Sequence, residues 1–361
     1  MPRLLAEIAR QPIFSRSVRC CGAALSVVLF ALEPTRAYAQ ALPDSIARWT
    51  RVMQVGTLLA RDSALTRLAV LPQETLPAET RRVLVAELNR VHQATLSGAA
   101  YGAPGEAVGL IADYYMDLVA VVARFGTQEA RLALAPAVAV SVGISQQVAQ
   151  LGDTGVAVLM PLLRRRYNEQ DVLETLGLAW FWADSTGSPL SDRSRAQIVA
   201  ALTAAGFSGL HTDLLGIQGA LRAIHDPSFL PLAQSVHDLA AARGVIGRST
   251  VVTMEDEVIP SLTALAASRS LASLSSGFAR LVAAVCGNDA AGRRKGACQS
   301  ITNDVAAASD HLAKGQTTPA RNVFNSVAKK IDSAYADGAF SDAEHALLAG
   351  NVAMLLQRLA P

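Results

Sequence analysis

The strongest constraint on this chain is the rhythm of its small and aliphatic side chains, which recurs at helical spacing along most of its length. Ile198, Val199, Leu202 and Ala205 fall on one face of a helix, a spacing that the strict alternation of a half-buried strand does not produce. Alanine and leucine dominate, aromatic residues make up only 5% of the 361, and the β-branched residues are mostly scattered at the same helical period. The pattern predicts an all-α protein. One segment departs from it: Val245–Thr253 (VIGRSTVVT) reads as extended, an interdomain connection or a short strand.

The first 39 residues read as a cleavable export signal. Arg3, Arg10, Arg16 and Arg19 supply the positive region, residues 20–32 (CCGAALSVVLFAL) form an uncharged apolar run, and Ala37-Tyr38-Ala39 offers a small–x–small site with cleavage before Gln40. Thirteen helical residues rise only about 20 Å, too short for a hydrocarbon core of roughly 30 Å. No integral membrane segment is expected after cleavage, and the protein is expected in the periplasm or outside the cell. The discrete apolar run and the AYA site argue against an organellar transit peptide. No adjacent arginine pair precedes the run, which favours the general export route, and Arg19 before Cys20 spoils a lipobox.

Removing the leader takes five arginines and two glutamates from 32 basic and 30 acidic residues, leaving a formal charge of −1. That balance gives no electrostatic case for nucleic acid or for an anionic membrane surface. It leaves only Cys286 and Cys298, on either side of a polar, glycine-rich loop at 287–297. A disulfide there would close a short loop, worth roughly 3 kcal/mol by the chain-entropy argument, and would suit an oxidising compartment. Two thiols without a nearby histidine do not make a zinc pattern.

Helices are expected over 43–61, 78–97 and 106–124, with a turn-rich break at Ser97–Gly105. A theme then recurs, a helix ending in a glycine or aspartate turn and a second helix beginning with small residues and Leu or Leu-Pro. It is seen at Phe125–Ala130, Leu151–Leu163 and Ile224–Leu232. Asp153 or Asp226 would cap the second helix and proline would pre-set its first turn. Towards the C-terminus, Leu262–Cys286 reads as one long helix, followed by helices over 298–313, 319–336 and 342–359. Lys314-Gly315 and Asp337-Gly338 act as stops, Thr318 as a cap before Pro319, and Ser341-Asp342-Ala343-Glu344 as a capping box.

Two resemblances follow from these patterns. Asp213–Asp238 (DLLGIQGALRAIHDPSFLPLAQSVHD), with a second match at Leu151–Arg166, resembles HEAT-type helical repeats over about 106–243. The pattern Ala320…Phe324…Val327…Gly338…Ser341…Glu344…Leu347 is similar to the small FIMAH module appended to secreted bacterial proteins. Together they imply a helical-repeat (HEAT-like) domain at 40–243 with a concave binding face, a linker at 244–260, and a small C-terminal helical bundle at 261–361.

Candidate chemistry is sparse. The six histidines include no His-Glu-x-x-His and no pair four apart. His211 with Asp213, and His225 with Asp226, would form an acid–base or metal site only if the fold brought both pairs to one groove. Trp180, Phe181 and Trp182 are the densest aromatic group, and Tyr114 and Tyr115 lie between Asp113 and Asp117. Trp180, Trp182, Tyr114 and Tyr115 are therefore the candidate binding residues, set against their reading as core. Arg164–Arg166 suits a helix C-terminus rather than a nucleic-acid site. No catalytic residue, metal or cofactor is assigned, and the sequence does not set the oligomeric state. The expectation is an exported, non-enzymatic scaffold that engages a protein or peptide, with a secreted hydrolase carrying an accessory module as the alternative.

Overall fold

The computed structural model describes residues 35–97, 108–166, 168–186, 189–208, 210–287 and 292–360, with side chains from Ala41 and, in the second segment, from Ile111. Among the described residues every regular element is helical and there is no strand. The expected leader lies outside them except for residues 35–39, which open the first helix, and the expected break at 97–105 lies outside them beyond Ser97. No helix among the described residues is long and apolar enough to cross a membrane. They divide into two compact units between Val140 and Ser141.

The first unit holds α1 (Thr35–Val55), α2 (Leu58–Ala69), α3 (Ala78–Ser97), α4 (Val108–Ala123) and α5 (Gln128–Ala133), with 3-10 turns at Gln73–Thr75 and Ala135–Val140. The helix expected over 43–61 is broken in two, because Thr57 turns out of the helix and its hydroxyl caps α2 by accepting the Ala60 N–H at 3.3 Å. Helix α3 matches its expected span residue for residue. Ile46, Met53, Leu65, Leu68, Leu84, Leu88, Leu118 and Val122 are buried, and α1 packs on α2 and α3, which in turn pack on α4.

The second unit begins with α6 (Val142–Ala149), α7 (Asp153–Arg164), α8 (Glu169–Thr186), α9 (Asp192–Ser208), α10 (His211–Ile224) and α11 (Leu230–Ala241). It continues with α12 (Arg248–Thr253), α13 (Ile259–Ser268), α14 (Leu271–Cys286), α15 (Gly292–Ala313), α16 (Thr317–Ala336) and α17 (Asp342–Arg358). The tightest pairing joins α8 and α10, which are not consecutive. A Cβ on Gly177 would stand 2.5 Å from the Ala220 carbonyl oxygen, and one on Gly216 would stand 2.7 Å from Leu173. Only glycine lets the two backbones approach this closely.

Several local expectations need correction. Residues 244–260 are neither extended nor a strand. They form a 3-10 turn (Gly244–Ile246), α12, a π-helical turn (Met254–Val258) and the start of α13. Gly247, Thr250, Met254 and Val258, spaced three, four and four apart, are buried, and this helical burial overrides the β-propensity of the run. The long helix expected over 262–286 is two, because Ser270 caps α14 through the Ser273 N–H at 3.2 Å. The loop expected at 287–297 is shorter, since α15 already begins at Gly292. Thr318 is not a cap: α16 starts at Thr317, and the side chain of its N-cap Gln316 bonds His311 at 2.6 Å rather than the helix backbone. Pro231 does lie in the first turn of α11, but Pro161 stands well inside α7. The capping box at Ser341 and Glu344 is present in both directions.

Candidate functional site

In the first unit, α4 turns Tyr114 and Tyr115 inward rather than towards a partner. Tyr114 is fully buried and its hydroxyl donates to Glu87 Oε1 at 2.7 Å. Glu87, itself buried on α3, also receives Arg61 Nη1 at 3.3 Å and pairs with Arg90. A carboxylate this deep needs such partners, since an uncompensated buried charge costs several kcal/mol. The Tyr115 hydroxyl lies 3.2 Å from Nε2 of buried His92, with the rings edge to face at 5.5 Å. Burial pushes the His92 pKa down to about 4, against an opposing pull from the Ala133 carbonyl. Asp113 and Asp117 lie on the exposed side of α4. Partial desolvation, with repulsion from Asp62 on α2 and from Asp113, raises the Asp117 carboxyl. The two tyrosines are thus core anchors.

In the second unit, Trp180 is also fully buried. Its indole N–H donates to Asp226 Oδ2 at 3.3 Å, and its ring meets Phe229 edge-on at 5.0 Å. The Arg195 guanidinium lies 4.7 Å from the Trp180 ring centroid and donates to Asp184 Oδ1 at 3.0 Å. Arg280 on α14 lies 3.9 Å from Asp184 and 3.8 Å from Asp226. Asp226 Oδ1 accepts the Ser228 N–H at 3.0 Å and its hydroxyl at 2.8 Å, which starts the 3-10 turn Pro227–Phe229. Asn351 on α17 donates to the Ser228 carbonyl at 2.7 Å. Asp226 therefore caps the 3-10 turn rather than α11 itself, whose N-cap is Phe229, and serves as the hub of a network that joins α8, α9, α14 and α17. Asp153 does not cap. It is the first residue of α7, after Gly152, and its carboxylate accepts the Ser191 N–H at 2.9 Å.

Trp182 is half-buried beside Phe181, with ring centroids 5.9 Å apart, and Phe181 meets His225 at 5.4 Å. Of the four candidate binding aromatics it is the one with surface to offer. The two histidine–aspartate pairs are not brought together. His211 opens α10 and His225 ends it, in a left-handed conformation with φ of 48°; fourteen residues of helix separate such ends by about 20 Å. Among the described residues no group of three or more His, Cys, Asp or Glu side chains is placed to hold a metal ion.

The disulfide between Cys286 and Cys298 is formed, with Cα atoms 5.6 Å apart. It ties the end of α14 to the start of α15. Arg294, within the loop it closes, donates to the Val285 carbonyl at 2.5 Å, to the Ala339 carbonyl at 3.0 Å, and to Glu344 at 2.6 and 3.1 Å. The capping-box glutamate of α17 is thereby bound to the same joint.

Sequence reasoning missed two features. One is the Asp184–Arg195–Arg280 edge of the network, in which only Arg195 is buried; its signal was Arg195 beside the apolar series Ile198, Val199 and Leu202. The other is an exposed apolar segment: Val245, Ile246 and Val252 are 89%, 59% and 48% exposed. No protein-family model, curated protein or solved structure matches the chain.

Proposed function

We propose that this chain is an exported, non-enzymatic scaffold of the cell envelope that engages a protein or peptide through its helical surface. The observation that carries the reading is the Cys286–Cys298 disulfide. Such bonds persist in oxidising compartments, and this one follows an N-terminal sequence with the order of a cleavable leader. The array of packed helices is the kind of frame on which scaffolds of this class are built. With the reading go the HEAT-like affinity of residues 106–243 and the FIMAH-like affinity of the C-terminal helices. The hydrolase alternative loses its candidate groups, because His211 and His225 stand at opposite ends of α10.

The test has two arms. Protein recovered from cells expressing the complete chain is expected to start at Gln40 and to have a non-reduced mass two hydrogen atoms below that of the dithiol. Affinity capture from envelope and culture-fluid fractions is expected to return one stoichiometric protein partner that survives washing. An intact N-terminus with free thiols overturns the export reading. Correct processing without any reproducible partner overturns the scaffold reading.

A further inference from the structure

The segment that departs from the expected extended form carries the most informative surface of the second unit. Its inner face is the buried series Gly247, Thr250, Met254 and Val258, and a Cβ on Gly247 would stand 1.9 Å from the Ala240 carbonyl oxygen, so this face is pressed onto α11. Its outer face reads Val245, Arg248, Val252, Asp256 and Ile259, spaced three, four, four and three residues apart. The order is apolar, basic, apolar, acidic, apolar, and its spacing is the same read from either end.

The charges on this segment divide into two classes. Glu255 is paired with His237 Nε2 at 3.0 Å, and Glu257 with Arg222 Nε at 2.8 Å. Both pairs hold the π-helical turn to α10 and α11. Arg248 and Asp256 are exposed and have no partner among the described residues. They cannot pair with each other, since eight helical residues separate them by about 12 Å.

We propose that this stripe is a self-association surface on which a second copy of the chain docks antiparallel, with Val252 on the two-fold axis. A two-fold contact uses the same patch on both copies and so must be complementary to itself. Reversing the stripe about Val252 lays Arg248 of each copy over Asp256 of the other and brings Val245 against Ile259. Both unpaired charges are then used, and exposed Val245 and Val252 are covered together with half-buried Ile259. An anionic lipid surface would satisfy Arg248 but be repelled by Asp256. The stripe is short, so the contact belongs with weak, transient interfaces. The proposal rests on this surface and not on the export reading.

Sedimentation velocity over a concentration series tests it, on protein recovered from cells expressing the complete chain. The sedimentation coefficient is expected to rise with concentration towards a dimer. Arg248→Glu and Asp256→Arg each place like charges at both symmetric contacts, and each is expected to move the monomer–dimer midpoint up by about tenfold or more. An equimolar mixture of the two variants restores attraction at both contacts, as does the double variant R248E/D256R, so both are expected to regain association. Both substituted positions are exposed, and circular dichroism checks that the variants keep their helix content. A monomer at every concentration overturns the proposal, as does a dimer that both single variants leave unchanged.

Discussion

His92 is a base kept neutral by burial, and its titration is the clearest residue-level consequence of the first unit. With a pKa of about 4 in the folded protein against an ordinary 6.5, the folded state binds fewer protons than the unfolded chain between those values. Stability from this site is therefore full above pH 6.5 and is lost as the pH falls towards 4, by about 3 kcal/mol across the window. Hydrogen-exchange protection factors of the α3 and α4 amides, which correct for the intrinsic slowing of exchange in acid, should fall over that range, and His92→Gln should flatten the dependence; equal acid sensitivity in the variant would sink the idea. His237 has the opposite sign. Its bonds to Asp238 and Glu255 raise its pKa above the ordinary value, so its contribution is present below pH 6.5 and is lost as the pH rises through the folded value. Neither behaviour was legible in the sequence, where both are single histidines in helical patterns. What distinguishes them is the third dimension: His92 faces Tyr115 across a core, whereas His237 faces a carboxylate eighteen residues away on a π-helical turn.

Among the elements, the α8–α10 pair shows how a glycine can be worth more than its helix propensity. In an open helical position glycine is destabilising relative to alanine by roughly 0.5–1 kcal/mol. Gly296, with nothing within 4 Å of its added Cβ, is such a position, and Gly296→Ala should raise the melting temperature. At Gly177 the added methyl meets the Ala220 backbone, which cannot swing aside as a side chain would. Gly177→Ala should therefore destabilise by about 1–3 kcal/mol despite its better propensity, and thermal melts of the two variants should move in opposite directions. A stabilised Gly177→Ala would mean that α8 and α10 part without cost. Elements whose ends are marked by local chemistry were legible: α3 over 78–97, the stop at Gly315, and the capping box at Ser341. Errors arose where tertiary contact decided. Residues 244–258 carry a β-branched run that is helical because Thr250, Met254 and Val258 are buried, and Ser270 breaks a continuous apolar pattern by accepting a backbone N–H. The aromatic candidates failed as surface residues for a related reason. Composition identifies Trp180, Tyr114 and Tyr115 as large anchors, but only their buried partners Asp226, Glu87 and His92 show which way they point.

For the molecule as a whole, the decisive question is how much of the second unit depends on its one covalent cross-link. The disulfide and Arg294 act on the same joint. The first fixes the end of α14 against the start of α15; the second bonds Val285 on one side and Glu344 and Ala339 on the other, with its guanidinium 5.4 Å from the Phe340 ring. Closing a loop of this length is worth roughly 3 kcal/mol through the unfolded state. Arg294 contributes in the folded state alone and is partly exposed, so its pair with Glu344 adds less. Because the two share residues, their effects should not be additive. The test is a cycle of denaturant melts on the native protein, Cys286→Ser/Cys298→Ser, Arg294→Ala, and the combination, each with and without reductant. The cysteine pair should lose about 3 kcal/mol and show no response to reductant, while the native protein in reductant falls to the same midpoint. Arg294→Ala should cost more without the disulfide than with it, since the cross-link then no longer holds the two helix ends together. If reductant frees both thiols and the midpoint does not move, the bond is not a determinant of stability.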